Sequence, residues 1–324
     1  MNSGNDGEGM MRERVMVVGG GMMGCGIAAV AALAGNSVTV VETSEQARGA
    51  GPARVRGLMD ELESNGLAKP GAAAAAAETV EFSGDLEKAA EEAHFAIEAI
   101  VEDLAAKQAM FRRLDSLLPP EIPIASNTSG LRITEIAALT AHPERTATAH
   151  FWFPAHLVPL VEVVMGDGTS RDVAEWIVRT LKSWGKSPVL VRKDLPGQLA
   201  NRILQAVIRE ASHIVEMGLA SPEDVDTAVK MGMGIRFPAW GPLEHVDAVG
   251  VDLCRSVQNT VLPGISDRHE ANSCFEEMVG AGNLGYKTGK GFYDWSKKDM
   301  ESLARKRNEF IIQALKILRG GEGA

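Results

Sequence analysis

The segment Arg14-Val15-Met16-Val17-Val18 is a short apolar run with the length and β-branching of a buried strand, and it leads directly into Gly19-Gly20-Gly21-Met22-Met23-Gly24. The glycines satisfy GxGxxG at Gly19, Gly21 and Gly24. Beyond them Ile27, Ala28, Val30, Ala31, Leu33 and Ala34 supply the apolar face of a helix that Gly35-Asn36 ends, and residues 37–41 read as a second strand closed by Glu42. In a chain of 324 residues with 34 glycines the turn alone is weak evidence, so the weight rests on strand, turn, helix, strand and acid falling in that order. Gly19 permits a tight turn, Gly21 lets a pyrophosphate approach the backbone, and Gly24 lets helix and strand pack closely. Met22 and Met23 open the helix, whose free N–H groups face the phosphates. Glu42 can accept hydrogen bonds from a ribose diol and would repel a 2′-phosphate, so the pattern predicts NAD rather than NADP.

The same architecture continues. Strand candidates at 80–82, 95–100, 123–125, 146–151, 160–164 and 188–191 follow, with helical stretches at 43–66, 85–92, 102–118 and 170–184. The alanine run 72–77 is either helix or filler and carries no chemistry. Strands alternating with helices predict an α/β domain with a mostly parallel, Rossmann-type doubly wound sheet.

Beyond Lys193 strand signals become scarce. Residues 198–217 and 221–230 read as helices, the first expected to bury Leu199, Ile203, Leu204, Val207 and Ile208. Ser221-Pro222-Glu223-Asp224 is a helix start, with serine as N-cap and proline at the first helical position. The expected organisation is a disordered lead over 1–11, a dinucleotide-binding domain over 12–193, and a mostly α-helical substrate-binding and dimerisation domain over 194–324, assembling as a homodimer. The break falls at Asp194-Leu195-Pro196-Gly197.

Composition removes several classes of function. A formal charge of −10 is wrong for a general nucleic-acid binder, which needs basic surface for phosphates. No apolar run reaches the ~18 residues of a membrane span, and the first residues lack the basic start and apolar core of a signal peptide. Cys25, Cys254 and Cys274 are too few and too scattered for a disulfide framework, so a reducing, cytoplasmic setting is expected.

Several polar residues fall near strand ends, where open α/β sheets place ligands. Ser126-Asn127-Thr128-Ser129-Gly130 follows one strand, though these residues could simply cap the next helix. His150 lies near the end of another, where a satisfied core histidine is the plainer alternative. Glu162 sits inside Leu160-Val161-Glu162-Val163-Val164, a strand otherwise suited to burial, so its carboxylate must find a partner or change protonation state. His150 is the obvious candidate.

Ile124-Ala125-Ser126-Asn127-Thr128-Ser129-Gly130-Leu131, the phrase from His150 to Pro159-Leu160-Val161-Glu162-Val163-Val164, the junction Asp194-Leu195-Pro196-Gly197 with Asn201-Arg202, and Lys287-Thr288-Gly289-Lys290-Gly291-Phe292-Tyr293 together resemble the L-3-hydroxyacyl-CoA dehydrogenase family, in its order and approximate spacing. The resemblance implies an NAD-dependent enzyme of fatty acid metabolism acting on a small molecule, with an acyl-CoA as first choice. It implies a catalytic set of His150 as general base, Glu162 as its orienting carboxylate, Ser129 at the substrate hydroxyl and Asn201 on the substrate side. Glu102 and Lys107, beside Glu98-Ala99-Ile100-Val101-Glu102, would line the cofactor side. The chemistry is coherent in itself: an imidazole titrating near neutrality can move the alcohol proton while hydride passes to or from nicotinamide, and no metal is needed.

The chain also departs from the family. Where His-Phe-Phe-Asn-Pro is usual it has His150-Phe151-Trp152-Phe153-Pro154, so an aromatic ring replaces an amide at Phe153. Gln198 replaces the phenylalanine of Pro-Gly-Phe, and the stretch 232–242, containing Trp240, is unlike the usual Met-Gly-Pro turn. Phe153 and Trp240 are therefore substrate-pocket candidates. These changes resemble relatives acting on small free acids, such as gulonate or carnitine dehydrogenases, or on carrier-bound hydroxyacyl groups. Two further readings are a non-catalytic dinucleotide-binding protein and a decarboxylating β-hydroxyacid dehydrogenase with a lysine acid/base, although Asn201 stands where that lysine would be expected.

Overall fold

The computed structural model describes residues 13–320, so the lead expected over residues 1–11 lies outside the described residues. Eight strands form one sheet: β1 (Arg14–Val18), β2 (Ser37–Val41), β3 (Val80–Ser83), β4 (Phe95–Glu98), β5 (Ile124–Ser126), β6 (Thr146–Phe151), β7 (Leu160–Val164) and β8 (Ser187–Val191), in the order β3-β2-β1-β4-β5-β6-β7-β8. Every neighbouring pair is parallel except β6 and β7. The chain runs outward from β1 through β2 and β3, then returns to place β4 on the other side of β1. The carboxyl ends of β1 and β4 therefore flank the switch point at which open α/β sheets bind ligands.

Alternation along β1 divides its side chains between two cores. Val15 and Val17 join Ile27, Ala28 and Val30 of α1 (Met22–Leu33) on one face, whereas Met16 and Val18 join Phe111, Leu114 and Ile133 on the other. The helix α1 is buried along Gly24 to Ala32 because α2 (Glu45–Ser64) and α3 (Ala72–Ala77) pack over it. The alanine run is thus a helix, and the burial of Ala73 and Ala76 shows its use: small side chains allow close approach. The remaining helices of this unit are α4 (Leu86–Ala90), α5 (Leu104–Leu117), α6 (Ile133–Ile136) and α7 (Arg171–Ser183).

The chain divides into two compact units between Leu199 and Ala200. The second holds α8 (Ala200–Glu216), α9 (Pro222–Ala228), α10 (Pro242–Val249), α11 (Val251–Val261), α12 (Ser273–Gly280) and α13 (Met300–Gly320), with no named strand. Ser221 caps α9 by accepting from the Asp224 amide at 3.1 Å. Glu216, at the end of α8, accepts from the Cys274 amide and the Ser273 hydroxyl at the start of α12; led by the Cys274 N–H, these bonds hold its carboxyl down to about 2.

One expectation is overturned along residues 199–207. Leu199, Ile203, Leu204 and Val207 are exposed, at 37–56%, rather than buried. The periodicity of α8 correctly marks an apolar face, but α9 to α12 contain no buried residue and do not form a layer that covers it. No helix among the described residues is long and apolar enough to cross a membrane.

Candidate active site

The glycine loop has the geometry of a phosphate cradle. Gly19 leaves β1 at φ 111° and donates to the Val41 carbonyl at 2.8 Å, and a Cβ there would stand 2.6 Å from the Ala99 carbonyl oxygen of the β4 turn. A Cβ on Gly24 would fall on the Gly19 carbonyl, which accounts for the glycine that closes the motif. At Gly21 the requirement is different: nothing lies within 4 Å of an added Cβ, so the backbone at the N-terminus of α1 faces open space. Gly21 provides no side-chain cap and the first turn holds no acid, leaving the α1 amides available to an anion. Met22 is 61% exposed at that end, while Met23 packs toward the core. These features fit a dinucleotide pyrophosphate.

Glu42 ends β2 beside the loop. Its Oε2 accepts from the Gly20 amide at 2.9 Å and its Oε1 from the Ser44 amide at 2.8 Å, so the carboxylate is held at the rim with lone pairs left for a ribose diol. The Arg54 guanidinium of α2 and the buried Cys25 thiol both donate to the Gly20 carbonyl, at 3.2 Å each. Burial pushes the Cys25 thiol up from its usual range, against the opposing pull of Arg54. Neither residue was predicted from the sequence, which offers no signal that α2 returns to the loop.

A second cluster follows β4. Lys107, 1% exposed, places Nζ 2.6 Å from Glu98 Oε1 and 3.4 Å from Glu102 Oε2. The other Glu98 oxygen accepts from the Ser126 hydroxyl at 2.6 Å. Glu102 Oε1 collects the Thr128 hydroxyl at 2.6 Å and the Ser129 and Gly130 amides at 3.0 Å. Burial raises the Glu102 carboxyl, but the Thr128 bond, the amides and the Lys107 charge outweigh it and hold the group below its ordinary value. Ser126 and Thr128 are buried in this network, whereas Ser129 is exposed with its hydroxyl 3.5 Å from Glu102 Oε1. Glu98 was absent from the expected set, although an acid ending an apolar strand gives the same signal as Glu162.

The third cluster is built on β6 and β7. The connection 152–159 is shorter than the roughly dozen residues a parallel crossover needs, so β7 returns antiparallel and His150 and Glu162 become register partners. His150 Nδ1 lies 2.9 Å from Glu162 Oε2. Glu162 is fully buried, and the imidazole tautomer that donates Nδ1–H to its Oε2 presents Nε2 as the lone-pair nitrogen. Nε2 has no hydrogen-bond partner among the described residues. Two further donors hold Glu162: the Trp152 indole N–H on Oε2 and the Leu199 amide on Oε1, each at 2.9 Å. Asn127 Oδ1 accepts from the Phe151 amide at 2.9 Å, tying the Ser126–Gly130 stretch to the strand that carries His150.

Gln198 adopts a left-handed φ of 53° and is 6% exposed. Its amide donates to the Thr128 carbonyl at 3.0 Å, and its Oε1 has no hydrogen-bond partner among the described residues. Phe153 is 49% exposed. Asn201 lies in the first turn of α8 in the second unit, and Trp240, 36% exposed, meets His245 edge-on at 5.4 Å in that same unit. Thus His150, Glu162 and Ser129 belong to the first unit with the whole cofactor set, and Asn201 and Trp240 to the second.

A doubly wound sheet, a phosphate cradle at its switch point and an acid at the end of β2 define a nicotinamide-dinucleotide oxidoreductase. The model of the 3-hydroxyacyl-CoA dehydrogenase NAD binding domain matches residues 14–195, and that of the 3-hydroxyacyl-CoA dehydrogenase C-terminal domain matches residues 197–295. The chain belongs to the NAD-dependent 3-hydroxyacyl-CoA dehydrogenase family. It is 38% identical over 88% of its length to a probable 3-hydroxybutyryl-CoA dehydrogenase of Bacillus subtilis, covering 98% of that protein. It is 31% identical over 96% of its length to a 5-formyl-3-hydroxy-2-methylpyridine 4-carboxylate 5-dehydrogenase of Mesorhizobium japonicum, covering all of it. A solved structure of an enzyme of that activity, described as an NAD+-dependent dismutase, superposes with a TM-score of 0.88 over 96% of this chain and 99% of that one.

Proposed function

We infer that the protein interconverts a 3-hydroxyacyl and a 3-oxoacyl substrate, as a CoA thioester, with His150 as general acid/base. The observation that carries this reading is the fully buried Glu162 carboxylate paired with His150, whose Nε2 is left for a substrate proton. A bound nicotinamide would supply the acceptor or donor of hydride for the carbinol carbon. His150 Nε2 takes the hydroxyl proton as the alcohol is oxidised and gives it back on reduction, while Glu162 fixes the Nδ1–H tautomer and stabilises the transient imidazolium. Ser129 and Asn201 hold the substrate oxygen where charge changes. The glycine loop and Glu42 would hold the pyrophosphate and ribose of the cofactor, and Glu102 and Lys107 would line its nicotinamide side. The test is consumption of NADH with acetoacetyl-CoA: turnover lost in His150→Ala supports the reading, and no turnover with any 3-oxoacyl-CoA rejects it.

A second reading, oxidation of a free hydroxy acid or a carbonyl-bearing ring acid, is favoured by Phe153 and by the match along the whole length of a dehydrogenase named for a pyridine carboxylate. Activity on free acids alone would select it. The exposed apolar side chains of the second unit, among them Ile203, Leu204, Val207, Leu253 and Val257, support a homodimer in which a second copy covers them, which light scattering tests. A cytoplasmic location and a place in fatty acid metabolism accord with the acyl-CoA reading.

A further inference from the structure

Glu162 Oε2 receives two N–H groups, one from His150 Nδ1 and one from Trp152 Nε1, both at 2.9 Å. The two rings stand 5.6 Å apart between centroids with their planes at 47°, so the indole also lies against the imidazole whose partner it shares. The expected family phrase has phenylalanine where this chain has Trp152, and a phenyl ring has no N–H to give. An indole N–H is a donor only. It cannot reverse its role as a hydroxyl can, so it fixes the direction of the oxygen it binds.

We propose that Trp152 is a positioning residue for His150, acting through Glu162: its N–H locks Oε2 in place opposite Nδ1 and takes up part of the charge that oxygen would otherwise direct at the imidazole. The proposal rests on the reading of His150 as acid/base. A buried carboxylate spreads its charge over the donors it accepts from, and each added donor weakens its hold on any one of them. With the indole present, an imidazolium formed during turnover is stabilised by a carboxylate already partly satisfied, and releases its proton more readily. The indole N–H also holds the carboxylate in the orientation that sets Oε2 opposite Nδ1.

Two other titratable pairs flank this strand pair. Glu98 is paired with Lys107 on the far side of β5, and His156, in the β6–β7 connection, lies 2.9 Å from Glu61 of α2. The group facing His150 from β7 is Glu162, and from the segment entering α8 it is the uncharged Leu199 amide, on the other carboxylate oxygen. The indole and the imidazole share Oε2, so removal of the indole N–H acts on the oxygen that faces His150.

The test uses the free protein and needs no substrate. Histidine ring nitrogens and the Trp152 indole N–H are followed by 1H–15N NMR across the pH range in the wild type and in Trp152→Phe. The expected result in the variant is a His150 titration midpoint higher by about 0.5–1 pH unit, the size of an ordinary hydrogen bond. In the wild type the indole proton should be protected from exchange and should shift as His150 titrates. Should Trp152→Phe fold poorly, that wild-type indole signal still decides. A solvent-exchanging indole N–H that ignores the His150 titration, or an unchanged midpoint in a folded variant, overturns the proposal. Because the readout precedes turnover, its failure is distinct from failure of His150 as acid/base, which kinetics reports. Where a substrate is turned over, the acid limb of kcat/KM should move with the NMR midpoint.

Discussion

His150 and Glu162 are register partners on β6 and β7, so a separation of twelve residues in sequence becomes a 2.9 Å contact between Nδ1 and Oε2. The reversal between the strands creates this contact. A parallel β7 would need a long crossover between the two residues and would set them in register only by coincidence. Both side chains stand on interior strands of the sheet, one 7% exposed and the other fully buried.

The first prediction concerns that imidazole. His150→Ala leaves the glycine loop and Glu42 untouched, so NAD(H) affinity should stay within a few-fold. Turnover should fall by roughly 10²–10⁴, the range for losing a general acid/base. Cofactor titration by fluorescence and steady-state rates measure the two. Turnover equal to wild type across about pH 6–9, where an imidazole titrates, would remove His150 from the mechanism.

Cofactor choice should rest on Glu42. Its Oε2 also accepts from the Gly20 amide, so Glu42→Ala removes a ribose acceptor, a like charge facing a 2′-phosphate and a brace on the loop. The NAD-over-NADP ratio of kcat/KM should shrink by about 10- to 100-fold, the worth of charge-assisted hydrogen bonds. A wild-type preference for NADP would show that another residue reads the ribose.

Lys107 and Glu98 are both buried and 2.6 Å apart, and removing one partner strands the other charge. Lys107→Met should destabilise the protein by about 3–5 kcal/mol, and adding Glu98→Gln should recover part of that loss. Urea unfolding of the single and double variants checks it. Equal stability of Lys107→Met and wild type would mean that water reaches the pair.

The parts of this site that were legible in the sequence are those whose chemistry is local or forced. The turn from Gly19 to Gly24 could be read because strand, glycines, helix, second strand and acid follow one another directly in the chain, although the crowding of Gly19 comes from Ala99, far along the sequence. Glu162 could be read because a carboxylate amid valines must find a partner. Trp152 was visible only as an aromatic substitution, since its N–H points at Glu162 through a bend that no pattern encodes. Leu199 belongs by its pattern to a buried apolar set, yet its side chain is exposed and its backbone amide holds the carboxylate. The burial expected along α8 failed for a related reason: periodicity identifies an apolar face without saying whether the same chain covers it.

His156 carries a pH-dependent share of stability. Burial lowers its proton affinity below the ordinary 6.5, with Lys186 adding to the effect and Glu61 opposing it. The unfolded chain therefore binds more protons than the folded one as pH falls below 6.5, so stability is full above that value and declines as pH drops toward the folded one. His156→Gln should flatten this part of the curve relative to wild type, whatever other groups titrate. Thermal melts of both proteins between about pH 5 and 8 measure the difference. Parallel curves across that window would show that His156 charges freely in the folded state.

The last prediction concerns substrate choice. Phe153 stands three residues after His150, is 49% exposed, and occupies the place where the family commonly presents an amide. An amide hydrogen-bonds a polar group, whereas a phenyl ring offers only apolar and aromatic contact. A ring at the edge of the His150 cluster should therefore favour a substrate with flat or branched apolar bulk next to its reacting carbon over a short straight chain. Phe153→Asn should raise the relative kcat/KM for short, straight 3-hydroxyacyl-CoA substrates while NAD binding stays nearly constant, because the cofactor loop lies at the end of β1 and not of β6. Acetoacetyl-CoA, longer acyl-CoAs and free 3-hydroxy acids, compared in wild type and variant, give the answer. Activity confined to free acids would reject the thioester, and equal losses on every substrate would reduce Phe153 to a packing residue. A gain limited to acetoacetyl-CoA would establish that this ring sets the shape of the acyl pocket.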